Sequence, residues 1–443
     1  MITCQAFKFK LKTNEELENK FAQFAGSCRF VWNKAIALIK QKLDIKKVDK
    51  IINIHLPQYY KNTATIPTYN EMAGMLKLWK QSEEYAFLKE AHSQILQQTL
   101  KDLYKAIDSA FTKGNGISFP DFRKKGKSPD SFRYPQGFKI NNNRIFLPKI
   151  GWVRFYKSRN IVGKPKNVTV KRYADGWYIS VVTEKDTSIK ENLSNPVGID
   201  VGVKKIITLS NGCYFEPLDL SKYEKKLIKL QRQLSRKQHP TKKGDKTPFS
   251  NNYKKHQRKI AKMWLKIANV RNDYLHKITT AIAKKHGFVA VENLKVKNLT
   301  KSAKGTKDSP GRNVKAKSGL NRSILSRAWG RFFELLEYKL QRNGGKLVRV
   351  DAKNTSITCP LCDYTNKENR KNQAVFVCKK CGFTSNADLV GAINVLMRAM
   401  RKENLITLPQ GLREVTPVEY AREYTLKQEP AGNREGLPLP SIA

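Results

Sequence analysis

The chain opens on alternation: Ile2, Cys4 and Ala6 fall on one side, Thr3, Gln5 and Phe7 on the other. That pattern predicts an edge strand over residues 1–12. Thr13-Asn14-Glu15-Glu16 reads as a capping box. The apolar stripe Leu17, Phe21, Phe24, Cys28, Trp32, Ala35 and Ile39 follows at helical spacing. Further helical stretches cover Tyr69–Trp79 and His92–Thr112, so residues 13–112 read as all-helical, with basic outer faces suited to a duplex. Gly114-Asn115-Gly116 ends that texture. Short alternating runs begin at Ile145, Trp152, Asn167 and Trp177, and Asp175-Gly176 is a hairpin turn signal. Together they predict a small β-barrel or sandwich, joined by the first strand so that the helices become an insertion. Arg and aromatic residues interleave at Phe132-Arg133-Tyr134 and Arg154-Phe155-Tyr156. Such interleaving suits base stacking and phosphate contact; ordinary strand aromatics explain it equally.

From Pro196 the texture turns α/β. Val197–Val203 and Ile206–Gly212 read as a hairpin, 219–237 and 251–286 as helices, and Phe288–Leu294 as the next strand. Lys301–Gly319 is poor in apolar residues and reads as a mobile loop, either a lid or plain disorder. Ile324–Arg342 reads as one helix closed by Gly344-Gly345. A strand over Lys346–Val350, a four-cysteine segment and a helix from Ala387 to Arg401 complete the pattern. Beyond Gly411 periodicity ends, and the chain reads as a disordered tail.

Composition changes the picture through charge. Of 443 residues, 85 are Lys or Arg and 37 Asp or Glu, a formal net charge of +48. A compact body with that surplus repels itself unless a polyanion neutralises it, and nucleic acid fits better than an anionic membrane. On the helices at 219–286 the basic residues Arg232, Arg236, Lys237, Lys254, Lys255, Arg258, Lys259 and Lys262 stand out, with Lys242 and Lys243 in the loop between. So lopsided a run points to phosphate contact, since like charges four residues apart destabilise a helix. No helix-turn-helix, zinc finger or basic zipper pattern appears that would read a long DNA sequence. No apolar run is long enough to span a membrane and the first ten residues lack a signal peptide core, so a reducing cytosol is expected.

That setting colours the seven cysteines. Cys4, Cys28 and Cys213 read as small buried apolar residues. Cys359-Pro-Leu-Cys362 and Cys378-Lys-Lys-Cys381 have the spacing of a zinc ribbon: four thiolates around a closed, structural Zn²⁺. Gly382 fits a knuckle needing positive φ, and Phe376 and Phe383 are placed to cover the metal.

Three acids stand where acids are structurally awkward. Asp200 and Glu292 alternate with apolar residues on strands and so face away from one core layer, with Gly202 and Ala290 as small neighbours leaving room beside them. Asp388 opens a helix capped by Ser385 or Asn386, where the helix dipole favours a carboxylate. Asp388, Gly391, Ala392 and Val395 form a stripe small enough for close approach to a sheet. Three acids meeting at one sheet end would repel. Two Mg²⁺ ions would resolve the conflict and create a phosphodiester-cleaving centre.

Gly198-Ile-Asp-Val-Gly-Val-Lys, Val291-Glu-Asn-Leu, Asn321-Arg-Ser-Ile, Lys367-Glu-Asn-Arg between the cysteine pairs, and Asn386-Ala-Asp with Ala392-Ile-Asn resemble the TnpB family. These are transposon-encoded RNA-guided nucleases, related to compact type V CRISPR effectors. The resemblance is strong over residues 190–401, while the N-terminal half matches in layout. It implies a multidomain α+β chain: a wedge-like β-barrel (1–12 and 113–195), a helical recognition domain (13–112), a ribonuclease H-like RuvC domain (196–354 and 386–405), an inserted zinc ribbon that binds target nucleic acid (355–385) and a tail (406–443). It implies Asp200, Glu292 and Asp388 as catalytic acids holding Mg²⁺, and Cys359, Cys362, Cys378 and Cys381 as zinc ligands. The implied partners are a guide RNA from the transposon end and double-stranded target DNA beside a short adjacent motif, with no obligatory protein partner. The implied location is the prokaryotic cytosol, at the nucleoid when DNA-bound. The alternative is an RNA-guided DNA-binding repressor with little nuclease activity.

Overall fold

The computed structural model describes residues 2–52, 66–112, 114, 116–240, 247–306 and 308–404. The expected tail lies outside those residues, as do Lys242 and Lys243. The chain divides into two compact units, the boundary falling between Thr187 and Ser188.

The first unit runs β1 (Ile2–Lys10), α1 (Glu15–Ile52), α2 (Tyr69–Gln81), α3 (Ser93–Phe111), then β2 (Ser131–Tyr134), β3 (Lys139–Asn141), β4 (Arg144–Leu147), β5 (Gly151–Arg154), β6 (Lys164–Tyr173) and β7 (Gly176–Asp186). β1 is an edge strand, paired antiparallel with β7 along its whole length. Its odd positions Phe7 and Phe9, with Leu11 just past its end, are buried with Phe21, Phe24 and Trp32 of α1 and Trp177 of β7, so sheet and helices share one core. The stripe expected on α1 is the buried face from Phe21 to Ile39.

Three local expectations shift. The cap of α1 is Asn14, whose Oδ1 accepts from Leu17 N–H at 2.9 Å, while the Thr13 hydroxyl donates to Glu18. The β6–β7 turn is centred on Ala174-Asp175, because Asp175 is tied to Lys10 and Tyr178 and Gly176, at φ +137°, already begins β7. Most visibly, the expected barrel does not close: among the described residues the strands make a four-stranded sheet, β1-β7-β6-β2, and a separate three-stranded sheet, β3-β4-β5. A single bridge, Leu11 to Phe155, links the first sheet to the chain just past β5.

The second unit holds β8 (Val197–Asp200), β9 (Ile207–Leu209), β10 (Tyr214–Phe215), α4 (Ser221–Ser235), α5 (Asn251–Lys285), β11 (Phe288–Glu292), α6 (Val314–Arg327), α7 (Trp329–Arg342), β12 (Lys346–Val350), the hairpin β13 (Val375–Val377) and β14 (Thr384–Asn386), and α8 (Ala387–Lys402). Five strands order as β10-β9-β8-β11-β12; β8, β11 and β12 run parallel and β9 antiparallel to β8. Strand alternation sorts the two faces. Val197, Ile199, Val289 and Val291 pack on α5 and α7, whereas Phe288, Ala290, Val348 and Val350 pack on Val395, Leu396, Ala399 and Met400 of α8.

The loop expected over 301–319 is shorter than that: α6 begins at Val314, and it is anchored by Asn321, whose amide donates to the carbonyls of Thr300 and Lys301. Its low apolar content hid the helix, since Ile324 is its single buried residue. The expected single helix over 324–342 breaks at Ala328, which takes a left-handed φ of +54°. The break lets α7 lay Trp329, Phe332, Phe333, Leu335, Leu336 and Leu340 into the core while α6 departs from it.

α8 approaches β8 with no side chain between them. A Cβ on Gly198 would lie 2.0 Å from the Ala392 carbonyl oxygen and 2.8 Å from Leu396. Gly202, expected to leave open space, does not, for a Cβ there would meet Lys205 O at 2.7 Å. Gly198→Ala is expected to destabilise the chain by at least about 1–3 kcal/mol, as overpacking does. Gly391→Ala, whose methyl would meet Asp200 at an ordinary 3.5 Å, should keep wild-type stability. Urea denaturation of the two variants checks the contrast.

Candidate active site and metal centre

Parity builds the acid site. Gly198 and Asp200 alternate with Val197 and Ile199 on β8, so they face α8. Glu292 lies two residues beyond Ala290 on β11 and faces the same way. Val291 pairs with Ile199, which sets Asp200 and Glu292 at the same end of adjacent parallel strands. Asp388 sits in the first turn of α8, capped by Asn386, whose Oδ1 accepts from the N–H groups of Asp388 at 3.0 Å and Leu389 at 3.3 Å. Of the two cap candidates, Asn386 therefore fills the role.

The site's electrostatics follow from this crowding. Burial pushes the Asp200 carboxyl up to about 7, and the charges of Glu292 and Asp388 push the same way, against Arg370. Burial also raises Glu292, opposed by a hydrogen bond from Thr355 Oγ1 at 2.5 Å and by the charge of Arg398. These are the marks of a carboxylate group short of positive charge, and an oxygen-donor set of this kind suits a hard divalent cation.

Four neighbours complete the site, and periodicity did not single them out. Thr355 is buried and holds Glu292. Asn394, buried inside the apolar stripe of α8, donates to the carbonyls of Thr355 at 2.7 Å and Thr358 at 2.8 Å. Arg370 brings its guanidinium to 3.9 Å from an Asp388 oxygen. Asn369, fully buried, donates to the Ile357 and Tyr364 carbonyls and accepts from Lys379 N–H. A polar residue amid ten buried positions of α8 was the available signal for Asn394.

The cysteines converge more tightly than the acids. The Sγ atoms of Cys359, Cys362, Cys378 and Cys381 all lie within 4.8 Å of one another, the only such ligand group among the described residues. The two knuckles repeat one geometry. Cys359 O accepts from Asp363 N–H and Cys378 O from Gly382 N–H, both at 3.0 Å, and Asp363 and Gly382 both have positive φ, +54° and +74°. Cys378 moves down to about 7 despite desolvation, because the backbone N–H groups of Cys381 and Lys380 face its sulfur. Burial pushes the Cys359 and Cys362 thiols up instead, and four sulfurs gathered this closely fit a metal ion such as zinc. Phe376 is buried against it, with the Phe383 ring 6.3 Å away. Of the isolated cysteines, Cys28 is buried as expected, Cys213 half-buried, and Cys4 exposed, since it lies on the outer face of β1.

The basic residues singled out on α4 and α5 form a solvent-facing array. Arg232, Arg236, Lys254, Lys255, Arg258, Lys259 and Lys262 are exposed and Lys237 half-buried. Among the described residues none of them has a carboxylate within ion-pair distance, in contrast to Lys277, which is paired with Asp273. Trp264 stands among them, 50% exposed. No helix among the described residues is long and apolar enough to cross a membrane.

Comparison with known proteins places this architecture. The OrfB_IS605 family, described as "Probable transposase", matches residues 179–303, and the Cas12f1-like TNB domain matches residues 329–395. A family described as a helix-turn-helix domain matches residues 1–44, where the structure has one strand and one helix. A protein of Escherichia coli strain K12 named as an RNA-guided DNA endonuclease, InsQ, is 46% identical over 88% of this chain and 91% of its own length. A Streptomyces pristinaespiralis protein of the same descriptive name is 28% identical over 98% of both chains. A cryo-EM structure of CasPhi-2 (Cas12j) bound to crRNA and phosphorothioate-DNA covers 92% of each chain at 12% identity and a TM-score of 0.40, too loose a likeness to place any residue. The class is that of transposon-associated proteins. The chain belongs to the TnpB family, the OrfB_IS605 group.

The raised Asp200 has a consequence for stability. Its folded value, about 7, lies above its ordinary 3.8, so the folded chain holds a proton that the unfolded chain releases. In divalent-free buffer, stability should therefore fall as pH rises from about 4 to 7, by on the order of 1–4 kcal/mol. Asp200→Asn should flatten that slope, as read by chemical denaturation across the pH range.

Proposed function

We propose that the chain is an RNA-guided DNA endonuclease, with a bound RNA selecting the target by base pairing and Asp200, Glu292 and Asp388 forming the centre that hydrolyses the DNA backbone. The observation that carries this reading is the gathering of the three acids at one sheet end, in a chain so close to a relative of that name. The mixed five-stranded sheet with helices on both faces is consistent with a ribonuclease H-like RuvC domain.

In the reaction, a water oxygen bonds to phosphorus, the bond to the leaving sugar oxygen breaks, and the proton the water gives up is balanced by the one the leaving oxygen takes up to become a hydroxyl. Asp200, Glu292 and Asp388 would hold Mg²⁺, which when bound supplies charge neutralisation at the phosphate and a more acidic water. The chain's own groups hold the acids ready. Thr355 fixes the rotamer of Glu292, the capped first turn of α8 positions Asp388, and Arg370 offsets the negative charge beside it.

Residues 355–385 act as a zinc ribbon whose closed four-sulfur site is structural. The solvent-facing bases from Arg232 to Lys262 contact phosphates of the guide–target duplex, and the strands and helices of the first unit serve as wedge and recognition domains. The guide comes from the transposon end, the DNA is double-stranded and carries a short adjacent motif, and the protein works in the prokaryotic cytosol. Base pairing then supplies the sequence specificity that a backbone-contacting protein lacks.

Asp200→Ala, Glu292→Ala and Asp388→Ala should each reduce Mg²⁺-dependent cleavage of guide-matched plasmid to background while RNA binding persists. RNA-free protein should not cut, and exchanging the guide segment should move the cut; cleavage at an unchanged site after that exchange counts against guidance. Cys362→Ser should lose stoichiometric zinc by elemental analysis and lower the melting temperature, because structural metal binding contributes folding free energy directly.

A further inference from the structure

A cavity of about 440 Å³ lies within the second unit, away from the acids and the cysteines. Its apolar floor includes Ile206, Pro217, Leu218 and Tyr274, and three arginines line it: Arg271 of α5 with Arg322 and Arg327 of α6. Among the described residues none of the three has a carboxylate within 4 Å, although Asp219 and Glu224 also line the cavity. Asp219 is occupied at the start of α4, where its two oxygens accept from the Ser221 N–H at 2.9 Å and hydroxyl at 3.2 Å. Arg327 donates its Nε to the Val203 carbonyl at 3.0 Å, which fixes the guanidinium in place. The Arg271 Nε is shut away from solvent without any hydrogen-bond partner.

The balance is three guanidiniums against two carboxylates, one of them committed to the helix start. Burial lowers the Arg271 pKa and Arg327 pushes it the same way, with Glu224 alone opposing, so the cavity is short of an anion. A buried guanidinium with an unmade hydrogen bond is costly, and its planar fork matches an oxyanion. A structural ion-pair reading would need a carboxylate in contact, and none is there. The apolar floor calls for more than a bare anion.

From these observations we infer that the cavity is a nucleotide subsite, in which a backbone phosphate of a bound strand lies on Arg271 and Arg322 and its base covers Leu218 and Tyr274. The inference rests on the reading of the chain as a nucleic-acid-binding protein and is independent of the acid centre. Phosphate is common to RNA and DNA, so the strand is assigned by experiment.

The test uses full-length protein and fluorescein-labelled oligouridylate and oligothymidylate, each about 20 nucleotides long, as single-strand probes. Ser323→Trp fills the cavity without changing charge; Arg271→Gln and Arg322→Gln remove one cation each. Each variant should weaken binding roughly tenfold, and the slope of log affinity against log salt should shrink by about 0.7, one phosphate contact on a single strand. Loss confined to oligouridylate assigns the subsite to the guide, loss confined to oligothymidylate to the DNA, and loss of both to a phosphate site shared between them. If Ser323→Trp melts like the wild type yet binds both probes with unchanged affinity and slope, the inference is wrong. Should Ser323→Trp melt early, Arg322→Gln at the exposed rim decides, and unchanged binding there overturns the inference equally. Glu334→Gln, on the exposed face of α7 and outside the cavity, should bind both probes like the wild type, and because binding is read here without cleavage this outcome stands apart from that of the cleavage tests.

Discussion

The second unit depends on a contact made without side chains: the backbone of α8 against the backbone of β8 at Gly198. Hydrophobic burial alone would hold a helix to a sheet at the usual distance. Here the missing Cβ lets the Ala392 carbonyl come closer, and the whole N-terminal turn of α8 moves in with it. Asp388 consequently sits where its charge reaches Asp200, and Asn394 sits where its amide reaches the loop that carries Thr355. One absent methyl group thus sets the positions of two acids and the clamp on the third. The same packing desolvates Asp200, so the approach that assembles the site also makes it electrostatically strained.

That strain stands out against the rest of the molecule. The chain carries a surplus of +48, yet Asp200 lies where burial and the charges of Glu292 and Asp388 both oppose its ionisation. Arg370 and Arg398 offset part of that charge from the rim. On the function proposed above, the exposed Lys and Arg would meet backbone phosphates directly, whereas the acids would act on a phosphate through the cations they hold.

The candidate centre was legible in the sequence because each acid stood at a marked place in a pattern: Asp200 and Glu292 kept the strand alternation but put a carboxylate on a face next to small residues, and Asp388 opened an apolar helix. The cysteine spacing was equally plain, since sulfur ligands on tight knuckles leave little freedom in separation. What escaped were residues whose role lies in a partner far along the chain. Thr355 looks like any loop threonine until the fold brings Glu292 to it, 63 positions away. The start of α6 escaped because that helix buries one side chain and is held by amide-to-carbonyl bonds, which leave no periodic trace. The barrel was overdrawn for a related reason: alternation reports that strands exist, while closure depends on hydrogen bonds between edges, which it does not encode.

Asn369 and Arg370 are consecutive residues with opposite duties. Asn369 is locked inside the ribbon, tying one knuckle to the other, and Arg370 reaches out toward Asp388. A backbone bridge from Arg370 to Phe376 fixes the direction of the second by the position of the first. The outer side chains of the four-cysteine segment can therefore change without disturbing this arrangement, whereas inserting or deleting a single residue near the pair would leave the sulfurs able to gather while turning the guanidinium away from the acids.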